Sequence, residues 1–355
     1  MKKLALTIIT LLFISLLADG QTIRRVNNNA GVTGANIYAT IQAAHDAATA
    51  GDIIYVEPST ESYGNLDCRK RLTIIGNGYY LDQNANNSFD SRTSRVGSLI
   101  FNNGSANSVL TGINVLNLIK VNDINVTITR CIVTGGVSFG LSTNLVSGLN
   151  SRGNSGIITQ CIIQSSIYGT NSSQYGHNTL ISNNIIQGGN LYNLTNSVIS
   201  NNIYYRGGGS SFSALFGCSV TNNILDARGF TTIQEFVNGN GTTSVGNTIS
   251  NNICLGQAAT PSGNGNVNFG DETITFLDAN PWNTASTRDA PFQLASGSPA
   301  VGIGTGGGNA GAFGGVSPYV LSGMPAYPII TNYTTSGVGN STTPLNVSVT
   351  VRGNN

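Results

Sequence analysis

The sequence predicts an all-β fold, specifically a right-handed parallel β-helix (a β-solenoid), from three observations. A five-residue phrase recurs along the chain, short β-branched runs alternate with turns rich in Gly, Asn and Ser, and no helical periodicity runs through this region. Copies of the phrase begin 18 to 30 residues apart, a period typical of solenoids whose coils stack on one another. The variable spacing favours a β-helix, since one loop per coil can change length while the short strands stay stacked.

The repeated phrase consists of an apolar residue, Ser or Thr, a polar residue, Asn or Cys, and a second apolar residue. Its six copies are 128–132, 158–162, 181–185, 199–203, 220–224 and 249–253. Stacked coils would align the fourth positions in one column, at Cys131, Cys161, Asn184, Asn202, Asn223 and Asn252. Asn tolerates left-handed backbone geometry, so we expect this position at a tight bend, with the amides hydrogen-bonded along the axis. The two thiols are either small buried groups or a disulfide between neighbouring coils.

The N-terminus predicts export. Met1, Lys2 and Lys3 form a basic start, residues 4–18 are apolar, and the small residues Ala18 and Gly20 fit a cleavage site. We therefore assign 1–20 to a signal peptide, because the apolar stretch is shorter than the roughly 20 residues that a membrane span needs. The expected location is extracellular or on the cell surface. A net charge of +1 and only 9% charged residues provide no electrostatic attraction to nucleic acid or anionic lipid.

The remaining chain divides at residue 317. Residues 21–317 form the predicted β-helix, with the apolar residues of each coil turned inward and a capping helix over 40–50 before the first regular coils. This helix has Thr40 as its N-cap and ends at Gly51. Residues 318–355 contain several prolines and then an alternating stretch, 345–351, which predicts a linker followed by a β-strand tail.

Two segments carry a resemblance to a known family. The runs 39–44 (ATIQAA), 51–56 (GDIIYV) and 72–76 (LTIIG) resemble the N-terminal cap and first coils of pectin-lyase-like β-helix proteins, and 296–300 (SGSPA) resembles their closing turn. The resemblance covers about residues 24–316 and is closest to secreted bacterial members with no assigned activity. It implies the fold, whereas the superfamily includes lyases, hydrolases, binding proteins and structural proteins.

The distribution of carboxylates argues against the hydrolytic and calcium-dependent chemistries of that superfamily. Hydrolases of this fold need two or three carboxylates around the glycosidic bond, and calcium-dependent lyases need several to hold the ion. Between Asp123 and Asp226 there are 102 residues without an Asp or Glu. That stretch includes most of the regular coils, where such sites would lie.

A second set of residues leaves several interpretations open. Tyr175, His177, Tyr192, Tyr204 and Arg206 fall in the coils or their loops, together with Tyr168 and Tyr205. They suit a metal-free elimination in which a Tyr serves as the acid and a His or Tyr as the base. They equally suit an aromatic platform for sugar rings, or plain loop packing.

One segment resembles the start of a calcium loop. Asp82, Asn84, Asn86 and Asp90 space oxygen ligands in that way, but Thr93 occupies the position of the closing Glu. An Asn-rich loop is the favoured interpretation, and we expect no cofactor. The five cysteines form no CxxC pair, which disfavours a zinc site.

These observations predict a secreted or cell-surface protein that binds glycans or serves as a structural module, without catalysis. The alternative is a polysaccharide lyase that acts on an acidic glycan through the Tyr/His/Arg set. A third interpretation, a self-assembling adhesin, depends on the alternating C-terminal strand. The expected partner is a polysaccharide or cell-surface glycan, whose identity the sequence leaves undetermined together with the oligomeric state.

Overall fold

The computed structural model describes most of the chain. The described residues are 20–84, 88–140, 155–170, 176–205, 212–230, 232–238, 244–256, 263–269, 275–277, 281, 289–340 and 342–353. The predicted signal peptide lies outside them, apart from its last residue. No helix in these ranges is long and apolar enough to traverse a lipid bilayer.

Three sheets, each with all strands parallel, dominate the described residues. From residue 73 the chain passes from strand Thr73–Ile75 of a sheet that we call A to Arg95–Val96 of sheet C and Leu99–Phe101 of sheet B, and it repeats this order up to residue 205. Each strand pairs with its equivalent in the next coil. The all-β prediction is confirmed, and the arrangement is compatible with a β-solenoid. The fold therefore presents three elongated faces on which residues repeat at about 4.8 Å.

The strand bounds, in spatial order, are as follows. Sheet A contains Ile37–Tyr38, Ile23–Val26, Ile53–Val56, Thr73–Ile75, Val109–Thr111, Thr127–Thr129, Ile157–Thr159, Leu180–Ser182, Val198–Ser200, Ser219–Thr221 and Thr248–Ser250. Sheet B contains Gly176–His177, Leu191–Thr195, Ile167–Gly169, Val137–Phe139, Ile119–Val121, Leu99–Phe101 and Leu66–Cys68, with Phe212–Phe216 also paired to Leu191–Thr195. Sheet C contains Val267–Phe269, Ile253–Leu255, Ile224–Asp226, Ile203–Tyr205, Ile185–Gln187, Ile162–Ile163, Ile132–Val133, Asn114–Val115 and Arg95–Val96.

Two helices and a hairpin complete the described elements. Helix Ile41–Ala47 begins at the predicted N-cap, where Thr40 Oγ1 accepts from the Ala43 amide at 3.2 Å. It ends earlier than predicted, because Lys70 Nζ donates to the carbonyls of His45, Asp46 and Ala48 at 2.8–3.0 Å and thereby satisfies the helix end. The second helix is Ile233–Asn238, short 3-10 turns lie at Ala290–Phe292, Thr305–Gly307 and Leu321–Gly323, and strands Ile329–Thr335 and Val347–Arg352 form an antiparallel hairpin.

The bend between sheet A and sheet C occurs at the third position of the repeat. Its residues all have positive φ, from 53° to 60°, and they are Arg130, Gln160, Asn183, Asn201, Asn222 and Asn251. The expectation that the fourth position takes the left-handed conformation was therefore wrong by one residue. The reason is geometric, since one left-handed residue is enough to turn the chain and leaves the next side chain pointing inward.

The fourth-position side chains form an amide ladder inside this turn. Nδ2 of Asn184 donates to Oδ1 of Asn202, Asn202 donates to Asn223, and Asn223 donates to Asn252, at 2.9–3.0 Å. Each accepting Oδ1 also accepts a hydrogen bond from the backbone N–H of the preceding rung. The column continues to Asn266, whose Oδ1 accepts from Asn252. Every rung is thus satisfied although the four ladder asparagines from Asn184 to Asn252 are almost fully buried.

Two cysteines continue the same column in the earlier coils. The Cys161 amide donates to Asn184 Oδ1 at 2.9 Å, and the Cys131 amide lies 3.4 Å from Cys161 Sγ. All five cysteines are buried and free. Burial raises the pKa of the Cys161 thiol well above its ordinary value.

The two apolar positions of the repeat face opposite sides of the molecule. The first position lies in the interior core, whereas the fifth belongs to a separate outer cluster made of Ile132, Ile162, Ile185, Ile203, Ile224 and Ile253. The expectation that every apolar residue faces inward was therefore wrong. Side chains alternate along a strand, so the fifth residue must point outward once its neighbour, such as Val133 or Ile186, points inward.

A segment that we call the strap, residues 303–324, covers these outward isoleucines. Ala310, Ala312 and Tyr319 pack in the same cluster. In each coil the third-position side chain forms hydrogen bonds with the backbone of the strap, at 2.7–3.3 Å. The pairs are Asn251 with Ile303, Asn222 with Thr305, Asn201 with Asn309, Asn183 with Ala312 and Gly314, Gln160 with Ser317 and Pro318, and Arg130 with Met324. The strap thus runs antiparallel to the order of the coils and ends beside the early ones.

The glycine-rich composition of the strap follows from this close contact. At Gly311, which has a φ of +84°, an added Cβ would lie 2.6 Å from the Ile224 Cδ1 atom of sheet C. This glycine-rich part runs along the coils from the Asn251 turn toward the Arg130 turn. The segment assigned to a linker is also packed at its start, because Tyr319 and Met324 are buried.

We predict that Asn223→Ala strongly destabilises the protein. The substitution removes the group that accepts from the Asn202 amide and side chain and donates to the Ile199 carbonyl and Asn252. Buried partners left unpaired cost about 1–3 kcal/mol each, so the free energy of unfolding should fall by about 3 kcal/mol or more. Urea unfolding measures this change. The control Asn332→Ala removes an amide from an exposed position and should change it by about 0.5 kcal/mol or less; equal effects would contradict the prediction.

Candidate functional site

Three residues of the predicted Tyr/His/Arg set, His177, Tyr192 and Tyr204, lie within the described part of the chain, and they do not meet at one site. Tyr192 and His177 lie on sheet B, where His177 pairs with Thr195. Tyr204 is 1% exposed in the interior core, and its hydroxyl donates to the Gly189 carbonyl. Tyr175 and Arg206 lie outside the described residues. A buried Tyr204 has no access to a polysaccharide, so the set loses one of its members.

The rings of two tyrosines on sheet B are stacked on each other. Tyr168 and Tyr192 stack with centroids 4.9 Å apart and an interplanar angle of 8°, as parallel in-register neighbours do. Partial burial lowers the pKa of His177, which favours its neutral form. Each of the two rings therefore has one face covered by the other ring.

The calcium candidates make protein contacts instead of a common site. Asp90 forms an ion pair with Arg92 at 2.7 Å, and Asn84 Nδ2 donates to Asp289 Oδ1 at 3.0 Å. Asp82 is exposed, and its Oδ2 accepts from the neighbouring glutamine side chain, while Asn86 lies outside the described residues. Within the described ranges, no cluster of three His, Cys, Asp or Glu side chains has a geometry that could hold a metal ion.

A different surface has the form of a binding site. A groove of about 440 Å³ lies between the early strands of sheet A and the C-terminal segment. We call it the aromatic groove, after Tyr55, Phe89, Tyr327 and Tyr333, which line it with exposed fractions of 36%, 60%, 44% and 41%. Large aromatic side chains left this accessible in one concave site are typical of ligand contacts.

Local structure explains why each wall of the aromatic groove is in place. Tyr55 points outward from strand Ile53–Val56 because its neighbours Ile54 and Val56 fill the interior. On the opposite wall, the Phe89 amide donates to the Ile330 carbonyl at 2.8 Å, and the Phe89 and Tyr333 rings meet edge to face at 5.8 Å. The hairpin is thereby joined to the loop that contains Phe89.

A buried polar network fixes the end of the strap next to the groove. Asp289 Oδ2 accepts from the Tyr319 hydroxyl at 3.1 Å and from the Ser322 amide at 2.5 Å, and Tyr319 contacts the Tyr79 hydroxyl at 2.5 Å. Asn84 Nδ2 also donates to Ser322 Oγ at 2.7 Å. The network holds the strap against the early coils. Residues 325–330, which come next in the chain, therefore form part of the groove wall.

The electrostatics of the aromatic groove are mild. Its carboxylate, Asp90, is neutralised by Arg92, whose hydrogen bonds hold the pKa of that carboxyl below its usual range. Glu57, close to Tyr55 along the chain, is likewise paired with Arg25. The groove therefore presents aromatic and proline surface with little net charge.

Sequence reasoning missed this groove. Tyr55 lay only in the run 51–56 that resembles the first coils of a known family, and Tyr327 and Tyr333 fell in the predicted linker and tail. The available signal was the run of prolines and aromatics over 325–333, which is unusual for a flexible linker. Comparison of the chain with protein-family models and with curated proteins finds no match.

We predict that Asp289 makes stability depend on pH. Burial raises the pKa of Asp289, so its contribution is greatest in acid and is lost as the pH rises from about 4, the ordinary value for Asp. Urea unfolding from about pH 4 to about pH 7 should therefore show wild type losing stability relative to Asp289→Asn, which does not titrate. Other carboxylates contribute equally to both proteins and cancel in the difference. Parallel curves would contradict the prediction.

Proposed function

We propose that the chain is an exported right-handed parallel β-helix, capped by helix Ile41–Ala47, that binds a glycan without cleaving it. The predicted signal peptide and the resemblance to pectin-lyase-like proteins support the location and the fold. The parallel sheets A, B and C are compatible with it. The solenoid then acts as a rigid scaffold that displays the aromatic groove.

The aromatic groove is the observation that carries the proposal. Sugar rings present apolar C–H faces, which pack against aromatic rings, and hydroxyl groups, which need polar partners at the rim. Tyr55, Tyr327 and Tyr333 provide both an aromatic body and a hydroxyl. A groove open to solvent also suits a polymer, because the chain can enter and leave along its length.

The lyase alternative receives less support. It needs an acid and a base on one surface, and Tyr204 is buried in the core. His177 and Tyr192 remain together on sheet B, next to the stacked Tyr168. We therefore use sheet B as the comparison surface in the experiment.

The test is a glycan array followed by calorimetry on the best ligand, with residues 21–355. Tyr55→Ala and Tyr333→Ala should each weaken binding by about 10-fold to 100-fold, because burying one aromatic side chain contributes about 1.5–3 kcal/mol. The matched control Tyr168→Ala removes a tyrosine from sheet B and should leave the affinity unchanged.

Two outcomes would overturn the proposal. The first is the absence of binding to every glycan on the array by correctly folded protein, checked by circular dichroism. The second is loss of binding in Tyr168→Ala with full binding in Tyr55→Ala and Tyr333→Ala, which would move the site to sheet B.

A further inference from the structure

Arg130 departs from the rule that the other copies of the repeat follow. The third position is Asn in four copies and Gln in one, and these neutral side chains hold the strap. Arg130 adopts the same left-handed conformation, with φ of 53°, although a long charged residue has no intrinsic preference for it. Gln160 in the adjacent coil shows that a neutral side chain is sufficient for the strap.

The guanidinium of Arg130 has only neutral partners. Nε donates to Gln160 Oε1 at 2.9 Å, and Nη1 donates to the Met324 carbonyl at 2.8 Å. Among the described residues, no carboxylate lies within ion-pair distance of it, in contrast to five other arginines of the chain. The side chain is partly buried, and this desolvation lowers the pKa of Arg130. A partly desolvated charge without a counter-charge is costly unless a ligand supplies one.

A cavity of about 360 Å³ lies in front of this group. Thr111, Thr129, Ala326 and Tyr327 line it together with Arg130. The guanidinium has five N–H groups, of which two are used, so three donors on Nη1 and Nη2 remain. The hydroxyls of Thr111 and Thr129 make no hydrogen bond to another described residue, and they provide further donors. This donor set matches the oxygens of a carboxylate or a sulfate.

We infer that Arg130, Thr111 and Thr129 form an anion-binding site for a carboxylate or sulfate group of the ligand. Tyr327 lines both this cavity and the aromatic groove, so one ligand can reach both. The anion site stands on its own geometry, whereas its assignment to an acidic sugar rests on the proposed function. The ligand class is therefore a glycan with a uronic acid or a sulfate ester, its sugar ring against the aromatic groove and its anionic group at Arg130.

The experiment compares wild type with Arg130→Gln and Arg130→Lys. Arg130→Gln reproduces the neighbouring Gln160 and keeps a hydrogen bond to the strap while removing the charge. The control Arg69→Gln makes the same change in charge at an exposed arginine that is paired with Asp67. Thermal unfolding of each variant checks that the strap remains in place.

The probes are glucuronate, glucose 6-sulfate, glucose and inorganic sulfate, measured by calorimetry at constant ionic strength. Wild type should bind the first two better than glucose, and Arg130→Gln should lose about 10-fold to 100-fold in affinity for them. Arg130→Lys should recover part of this loss, because Lys keeps the charge without the bidentate fork. Arg69→Gln should bind like wild type.

The outcomes separate the two proposals. Equal affinity of wild type and folded Arg130→Gln for the anionic sugars overturns the anion site, and so does a wild type that prefers glucose. Binding of inorganic sulfate that needs Arg130, without binding of any sugar, supports the anion site and overturns the glycan. Loss of thermal stability in Arg130→Gln with unchanged binding assigns Arg130 to the strap alone, which also overturns the site.

Discussion

The two-residue turn between sheets A and C is the constraint on which the other features depend. One left-handed residue turns the chain from sheet A to sheet C, and the next residue then points into the molecule, where a buried side-chain amide must find partners. The in-register stacking of parallel coils supplies them, because each Asn meets the equivalent Asn one coil away. The stacking of the coils and the hydrogen bonding of the buried amides thus depend on the same register. A change at one rung leaves polar groups unpaired in two coils.

The same turn also produces the outer surface on which the strap lies. Since the left-handed residue directs its side chain outward, the six copies form a second polar column, parallel to the amide ladder. The isoleucines at the fifth position of the repeat form an apolar column beside it. A segment that covers both columns must offer backbone groups to the polar side chains and must lie close to the isoleucines. The glycine-rich strap does both. The C-terminal part is therefore integral to the fold.

The strap in turn brings distant parts of the chain together. Its end is fixed to the early coils by Asp289, Tyr319 and Tyr79, which places residues 325–333 opposite Tyr55. The aromatic groove and the cavity at Arg130 are both formed between sheet A and this segment. A ligand at this position would contact the first coils and the C-terminus at once, so binding and strap attachment should stabilise each other.

The sequence by itself determined the features that repeat. Local pattern and spacing predicted the all-β class, the strands and the residues of the fourth-position column, because each coil imposes the same requirement on the same position. The tertiary structure alone decided which side of sheet C the fifth position faces, the path of the strap and the meeting of Tyr55 with Tyr327 and Tyr333. These depend on contacts between residues hundreds of positions apart, such as Tyr79 with Tyr319. Because each of these contacts occurs only once, no periodic pattern in the sequence indicates it. Such contacts form only when the chain folds.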